Sequence, residues 1–298
     1  MLKFFKKLKE FFFGKKRDEP DRTDELSDTG NNDFDSDAIV DMGGKAYGHG
    51  FEIKNQKNIV LKNLVIQGLR GDYVGIYILD SHNITIENVT FLDCHSRGNA
   101  HGVLVHGKSK KGSTNIKILK CSFVNMTLGH SEAAVVNGNV DGFEIAHCTF
   151  KDLDNIPCDA IGYEGVCDDV NLDFARNGHI HDNVISFCKG KDKICAGIYV
   201  DGGRDILIEN NQVTDGQMGI EIAPEHKGKW SQNIKVINNY ITRNSYCGIS
   251  YGGGEKYNGG VRDCQFINNT LLNHNSKNGN FWKQHNTERI VTEPNILE

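Results

Sequence analysis

IENNQV at Ile208–Val213 returns as VINNYI at Val236–Ile241 and again as FINNTL at Phe266–Leu271. Each copy sets an apolar residue, a short turn with Asn in fourth place, and a second apolar residue. Working outward, the same phrase reads IHDNVI at Ile180–Ile185, IAHCTF at Ile145–Phe150, ILKCSF at Ile118–Phe123, IENVTF at Ile86–Phe91 and LKNLVI at Leu61–Ile66. The leading residues fall at 61, 86, 118, 145, 180, 208, 236 and 266, a period of 25 to 35 residues. Self-similarity on that scale is the mark of a solenoid.

Each repeat carries a second strand signal, a Gly- or Ala-led apolar run. These are GIYI (Gly75–Ile78), GVLV (Gly102–Val105), AAVV (Ala133–Val136), DAIGY (Asp159–Tyr163), GIYVDG (Gly197–Gly202), GIEIA (Gly219–Ala223) and GISYG (Gly248–Gly252). Period-2 alternation sends every second side chain inward. Ten-residue amphipathic stretches of the ankyrin kind and the Leu/Asn spacing of leucine-rich repeats are both missing. A parallel β-helix remains, with coils stacked ~4.8 Å apart. Asn183, Asn211, Asn239 and Asn269 share the fourth place in successive coils, which predicts a structural ladder of side-chain amides. Cys121 and Cys148 hold the same place and read as small buried hydrophobes.

Thirty-three glycines, four prolines and little helical periodicity fit short strands joined by tight turns, and no apolar stretch is long enough to span a bilayer. Charge is segregated. Residues 1–17 carry a net +6, residues 18–41 a net −9, and the body is close to neutral. A near-neutral body argues against the basic face that nucleic acid needs, so no nucleic-acid partner is expected. Met1, Phe4, Phe5, Leu8, Phe11 and Phe12 form one helical stripe opposite lysines, which predicts a cationic amphipathic helix over 1–17 that contacts a membrane surface. A secretory signal's apolar run and cleavage site are lacking. The acidic residues 18–41 read as a flexible linker, and 42–298 as the solenoid. Cys158, Cys167, Cys188 and Cys195 cluster around the longest insertion and would staple it in an oxidising compartment. The compartment itself stays open.

With its Asn ladder, Gly-Ile-x-Val runs and coil length, the chain resembles the pectate-lyase-like superfamily of right-handed parallel β-helix proteins over about residues 42–290. DAIGYEG, ARNG, AGIYVDGG, GIEIAPEH and GISYGGG together resemble bacterial members assigned to polysaccharide lyases and glycosidases. The resemblance implies a right-handed all-β solenoid acting on an acidic polysaccharide. In the lyases of the family, calcium bridges a uronate carboxylate and acidifies the C5 proton, and a Lys or Arg takes it.

The strand ends suggest where such chemistry sits. His106, Asn137, Glu164, Asp201 and Glu225 fall at or just after the Gly-led strand in successive coils, and Glu221 faces outward two residues earlier with Tyr199 beneath it. Glu164, Asp201, Glu221 and Glu225 would then converge within roughly 10 Å. Like charges that close raise one another's pKa unless a cation neutralises them. Asp201, Glu221 and Glu225, with carbonyls of the Gly202–Gly203 turn, make a candidate calcium site. Arg204, His226 and Lys227 are the candidates for proton transfer. The rival chemistry is hydrolysis by a carboxyl pair, Asp201 with Glu221 or Glu225. Glu164, Tyr163, Tyr199, His106 and Asn137 are expected to touch substrate, with Tyr251 and Trp230 as further stacking faces. The loop from Glu164 to Arg176 is expected to wall the groove. A non-catalytic carbohydrate-binding or structural solenoid is the third reading.

Overall fold

The computed structural model describes residues 32–41, 46–191, 193–274 and 278–297. The predicted amphipathic helix over 1–17 and the first part of the acidic linker lie outside the described residues. Two parallel sheets, of 17 and nine strands, enclose one continuous apolar core. The larger sheet holds the repeated phrase and its flanking residues. The smaller sheet takes one strand from each coil, in chain order: Ala46–Lys54, Arg70–Leu79, Ala100–Gly107, Ala134–Gly138, Cys158–Ile161, Ala196–Asp201, Met218–Ile222, Cys247–Tyr251 and Phe281–Lys283. Among the described residues no helix is long and apolar enough to cross a membrane.

Register is kept from coil to coil. Phe51, Ile76, Val103, Ala134, Cys158, Ile198, Ile220, Ile249 and Phe281 pair in sequence as one column of the smaller sheet. Phe91, Phe123 and Phe150 stack in a second inward column, with ring centroids 4.9 and 4.7 Å apart, close to the coil rise itself. That stack explains the glycine that leads each early run. A Cβ at Gly75 would lie 2.5 Å from Phe91 Cε1, and one at Gly102 would lie 2.5 Å from Phe123 Cε1 and 2.9 Å from the Ala133 carbonyl. Gly102→Ala is therefore expected to overpack the core and cost about 1–3 kcal/mol in denaturant unfolding.

The ladder is present and longer than predicted. Each amide Nδ2 donates to the next Oδ1 from Asn183 to Asn211, Asn239, Asn269 and Asn295, over 2.9–3.1 Å. Each Oδ1 also caps a backbone N–H one coil back, that of Cys148, Asn183, Asn211, Asn239 and Asn269 in turn. The residue just before each ladder position is left-handed, with φ of 52–57° at Asp182, Asn210, Asn238 and Asn268. Asn tolerates that conformation, so the doubled Asn of the motif has two separate tasks. Asn295 shows that residues 280–297 build one more coil.

Two expectations are corrected. Asn32–Asp41, assigned by composition to the linker, is a strand paired in parallel with Lys57–Gln67. The open edge of the first full coil presents unpaired backbone groups, and a strand satisfies them whatever its charge. The cysteine staple is absent: all nine cysteines are buried and unbonded. Cys158 stands in the apolar column, Cys188 donates to its own turn at the Ser186 carbonyl, and Cys195 accepts the Gly190 N–H. Burial pushes the Cys195 thiol up to about 12, which leaves it a poor nucleophile.

Candidate functional site

Outward positions of the smaller sheet form their own column. Val135, Asp159, Tyr199, Glu221, Ser250 and Trp282 pair from coil to coil. Around its middle the chain leaves the coil path in long excursions, and these turn an outward face into the floor of a groove. The groove encloses about 340 Å³ and is lined by six carboxyl groups: Glu132, Asp159, Glu164, Asp201, Glu221 and Glu225. Lys193 is the one Lys or Arg among its described lining residues.

The floor is buried and hydrogen-bonded. Asp159 is 2% exposed and Asp201 5%. Asp201 Oδ1 accepts the backbone N–H of Glu225 at 2.9 Å, which ties the end of one coil to the bend of the next. Glu221 Oε1 accepts from Gln284 Nε2 at 3.1 Å and from the Ser250 hydroxyl at 3.4 Å. Tyr199, beneath them, donates to the Ala223 carbonyl at 2.6 Å. Asn137 Nδ2 holds Glu164 Oε2 at 2.9 Å. Asp159 Oδ1 is buried without a hydrogen-bond partner.

Burial and mutual repulsion raise the pKa values of Glu132, Asp159, Asp201 and Glu221. Desolvation, then the charges of Glu164 and Glu225, raises Glu132 to about 8. Desolvation raises Glu221 to about 7 against the pull of Gln284 and Ser250. Asp159 is pushed well above the carboxylate range by burial and by Glu132 and Asp201, and Asp201 by burial with Glu225 and Glu164 adding to it. His101 lies 3.6 Å from Glu132, but burial lowers its pKa to about 4. Near neutrality the contact therefore joins two uncharged groups and is not an ion pair.

These shifts have a sign that can be measured. Glu221 and Glu132 hold their protons in the folded chain above the unfolded value of 4.5. Their contribution to stability is full below that value and is lost as pH rises to about 7 and about 8 respectively. Unfolding free energy should fall across that window by up to about 1.4 kcal/mol per pH unit for each group. Glu132→Gln should flatten the upper part of the curve in urea titrations at stepped pH.

Glu164, Tyr199, Asp201, Glu221 and Glu225 thus meet in one groove, and His226 joins them: ligand atoms of Glu164, Asp201 and His226 lie within 4.8 Å of one another. Other predicted residues sit elsewhere. Arg204 packs its guanidinium 4.3 Å over the Phe174 ring, donates to the Tyr163 hydroxyl, and lines a separate hollow with Lys229 and Trp230. Tyr163 has a φ of 72°, where the chain is wrenched out of the strand into the insertion. Tyr251 is a core residue stacked on Phe266, and Tyr199 is 8% exposed, so neither offers a sugar-stacking face. His106 accepts or donates to the Tyr77 hydroxyl at 3.1 Å outside the groove, and Lys227 is exposed beyond it. Within the loop, Asp173 caps the N–H groups of Gly165 and Cys167, which gives it a structural task.

Asp159, Glu132 and Gln284 were not singled out from sequence. Asp159 was legible in principle, because DAI aligns with YVD and EIA when the strands are registered from their starts. Aligning strand ends fails in that coil, where the insertion at Tyr163 displaces the end. Glu132 and Gln284 precede and follow their strands in irregular segments and carry no periodic signal.

Comparison with known proteins agrees with this architecture. The family model described as "Right handed beta helix region" matches residues 25–165 and 165–287. An uncharacterized protein of Bacillus subtilis (strain 168), YwoF, is 35% identical over 268 residues. That match covers 82% of this chain, and the chain spans about half, 56%, of the relative's length. A tailspike protein mutant of E. coli bacteriophage HK620, in complex with a pentasaccharide, superposes with a TM-score of 0.59 at 9% identity over 78% of this chain and 47% of its own. PfbA, a surface protein and adhesin of Streptococcus pneumoniae, gives a TM-score of 0.55 at 14% identity over 87% of this chain and 82% of its own. The chain belongs to the right-handed β-helix family, in the pectate-lyase-like mould that its ladder and coil register describe.

Proposed function

We propose that the groove binds an acidic glycan and hydrolyses a glycosidic bond with a carboxyl pair. The observation that carries this is Glu221, a half-buried acid with a pKa of about 7, set across one coil from Asp201. Tyr199 pairs with Glu221, and Asp201 lies two residues further along the same face, so register separates the two backbones by ~8 Å. Inverting pairs hold their carboxyl groups about 6.5–9.5 Å apart with a water between them, a spacing that side chains on backbones so placed can reach. Asp201, kept protonated by its burial, gives its proton to the leaving oxygen, and Glu221, poised near neutrality, takes one from water. The adjoining hollow of about 520 Å³ supports an acidic sugar, because it shares Lys193 with the groove and adds Arg97 and Lys191. The pentasaccharide on the tailspike neighbour supports a glycan as the class of partner.

Calcium-assisted elimination is the second reading, favoured by the convergence of Glu164 and Asp201 oxygens. Glu164, Asp201 and Glu225 offer the hard oxygen donors that calcium takes, and the ion would neutralise a uronate carboxylate there. The base is the weak point, since Arg204 is turned onto Phe174 and Tyr163. One assay separates the readings: uronate polysaccharides with calcium or chelator, followed by reducing ends and by ultraviolet absorbance. Reducing ends without absorbance support hydrolysis. Absorbance that chelator abolishes supports elimination, and silence in both channels from folded protein leaves a binding solenoid. The cationic stripe of residues 1–17 would hold this activity at an anionic membrane surface. Cosedimentation with anionic vesicles should be lost when those residues are deleted.

A further inference from the structure

On the larger sheet, away from the groove, two consecutive coils bring His147, His181 and Asp182 together. Ala146 pairs with His181, so His147 and Asp182 occupy the same turn position one coil apart, with φ of 56° and 52°. One ligand atom from each of the three residues lies within 4.8 Å of the others. His147 stands edge-on to His181, with ring centroids 5.5 Å apart, and His179 stacks on its other side at 3.8 Å.

The hydrogen-bonding of His181 points to a cation. Its Nδ1 lies 2.7 Å from Asp182 Oδ2 and its Nε2 3.2 Å from Glu144 Oε1. A neutral imidazole has one N–H, so it can satisfy one of these carboxylates and must turn a lone pair on the other. Glu144 is anchored independently by Lys117 at 3.0 Å, so it keeps its place whichever nitrogen of His181 carries the proton. Where Nδ1 carries the lone pair, a positive species between it and Asp182 relieves the repulsion. A proton would do this alone. The neighbouring His147 imidazole adds a further nitrogen donor at the same point, which a proton does not need.

We propose that His147, His181 and Asp182 form a binding site for a divalent transition-metal ion of the zinc class, clipping two coils at their turn. Two imidazoles and one carboxylate suit zinc, nickel or copper better than calcium. Bonds of about 2.0–2.2 Å set ligand atoms about 3.3–3.5 Å apart on a tetrahedral ion, so side-chain rotation would open the 2.7 Å contact of His181 with Asp182 slightly and bring His147 in. Glu144 on the far nitrogen of His181 is the outer partner that orients a metal-bound histidine.

Zinc titration of the full chain by calorimetry tests this, with His147→Asn, His181→Gln and a control, His82→Gln, on the same sheet. Asn suits the left-handed turn, so His147→Asn should fold as the parent does, which circular dichroism checks. The expected result is one ion per chain, affinity at least tenfold weaker in both site variants, and no change in the control. Absence of saturable binding, or equal affinity in His147→Asn and the parent, would overturn the site and leave His181 as a hydrogen-bonded bridge between Asp182 and Glu144.

Discussion

Glu221→Gln is expected to slow glycan hydrolysis by about 10²–10⁴-fold, the usual contribution of a positioned general base. Glutamine keeps the shape of the side chain and can still accept from Ser250 and Gln284, which hold Glu221 Oε1. It cannot take a proton from water. Folding should survive, since the substitution removes a buried acid whose ionisation disfavours the folded chain as pH rises. Asp201→Asn should lose activity in the same way and keep the acceptor for the Glu225 N–H. Arg204→Ala should leave the reaction nearly unchanged, because its guanidinium lies over Phe174 in another hollow. Kinetics on the three variants, with thermal unfolding beside them, decide the matter. Full activity in Glu221→Gln, or loss that tracks unfolding, would remove Glu221 from the chemistry.

Asn211→Ala should have the largest effect on stability, about 3–5 kcal/mol in urea unfolding. Its Oδ1 accepts from the N–H and Nδ2 of Asn183, and its Nδ2 donates to the carbonyls of Ile180 and Glu209 and to Asn239. Alanine leaves several of these groups buried and unpaired, at about 1–3 kcal/mol each before relaxation. The exposed pair on the other turn gives the contrast. Asn88 donates to Asn63 at 2.7 Å in solvent, and Asn88→Gly should stay within about 0.5 kcal/mol because glycine keeps the left-handed turn. Equal costs at the two positions would mean that the buried ladder carries no special load.

Both predictions rest on features of different legibility. Asn211 could be read from the chain, because a ladder residue answers to its own turn and to the same turn one period away. Glu221 and Asp201 could be placed on an outward face by alternation. Their burial could not be read, since it comes from excursions between coils whose paths are set by contacts such as Asp173 with Gly165 and Cys167. Arg204 illustrates the same limit. It stands three residues after Asp201 in sequence, yet the bend at Gly202–Gly203 sends it into the next face, where two aromatic rings hold it.

By itself, then, the sequence determined the coil, its two strands, the inward columns and the amide ladder, because period-2 alternation and a repeated register are local properties that each coil states again. Only the tertiary structure decided that the cysteines stay unbonded, that residues 32–41 extend the sheet, and that Glu132, Asp159 and Gln284 complete the groove. Those outcomes depend on distances between segments far apart in the chain, and backbone pairing across coils fixes such distances where no single stretch of residues can.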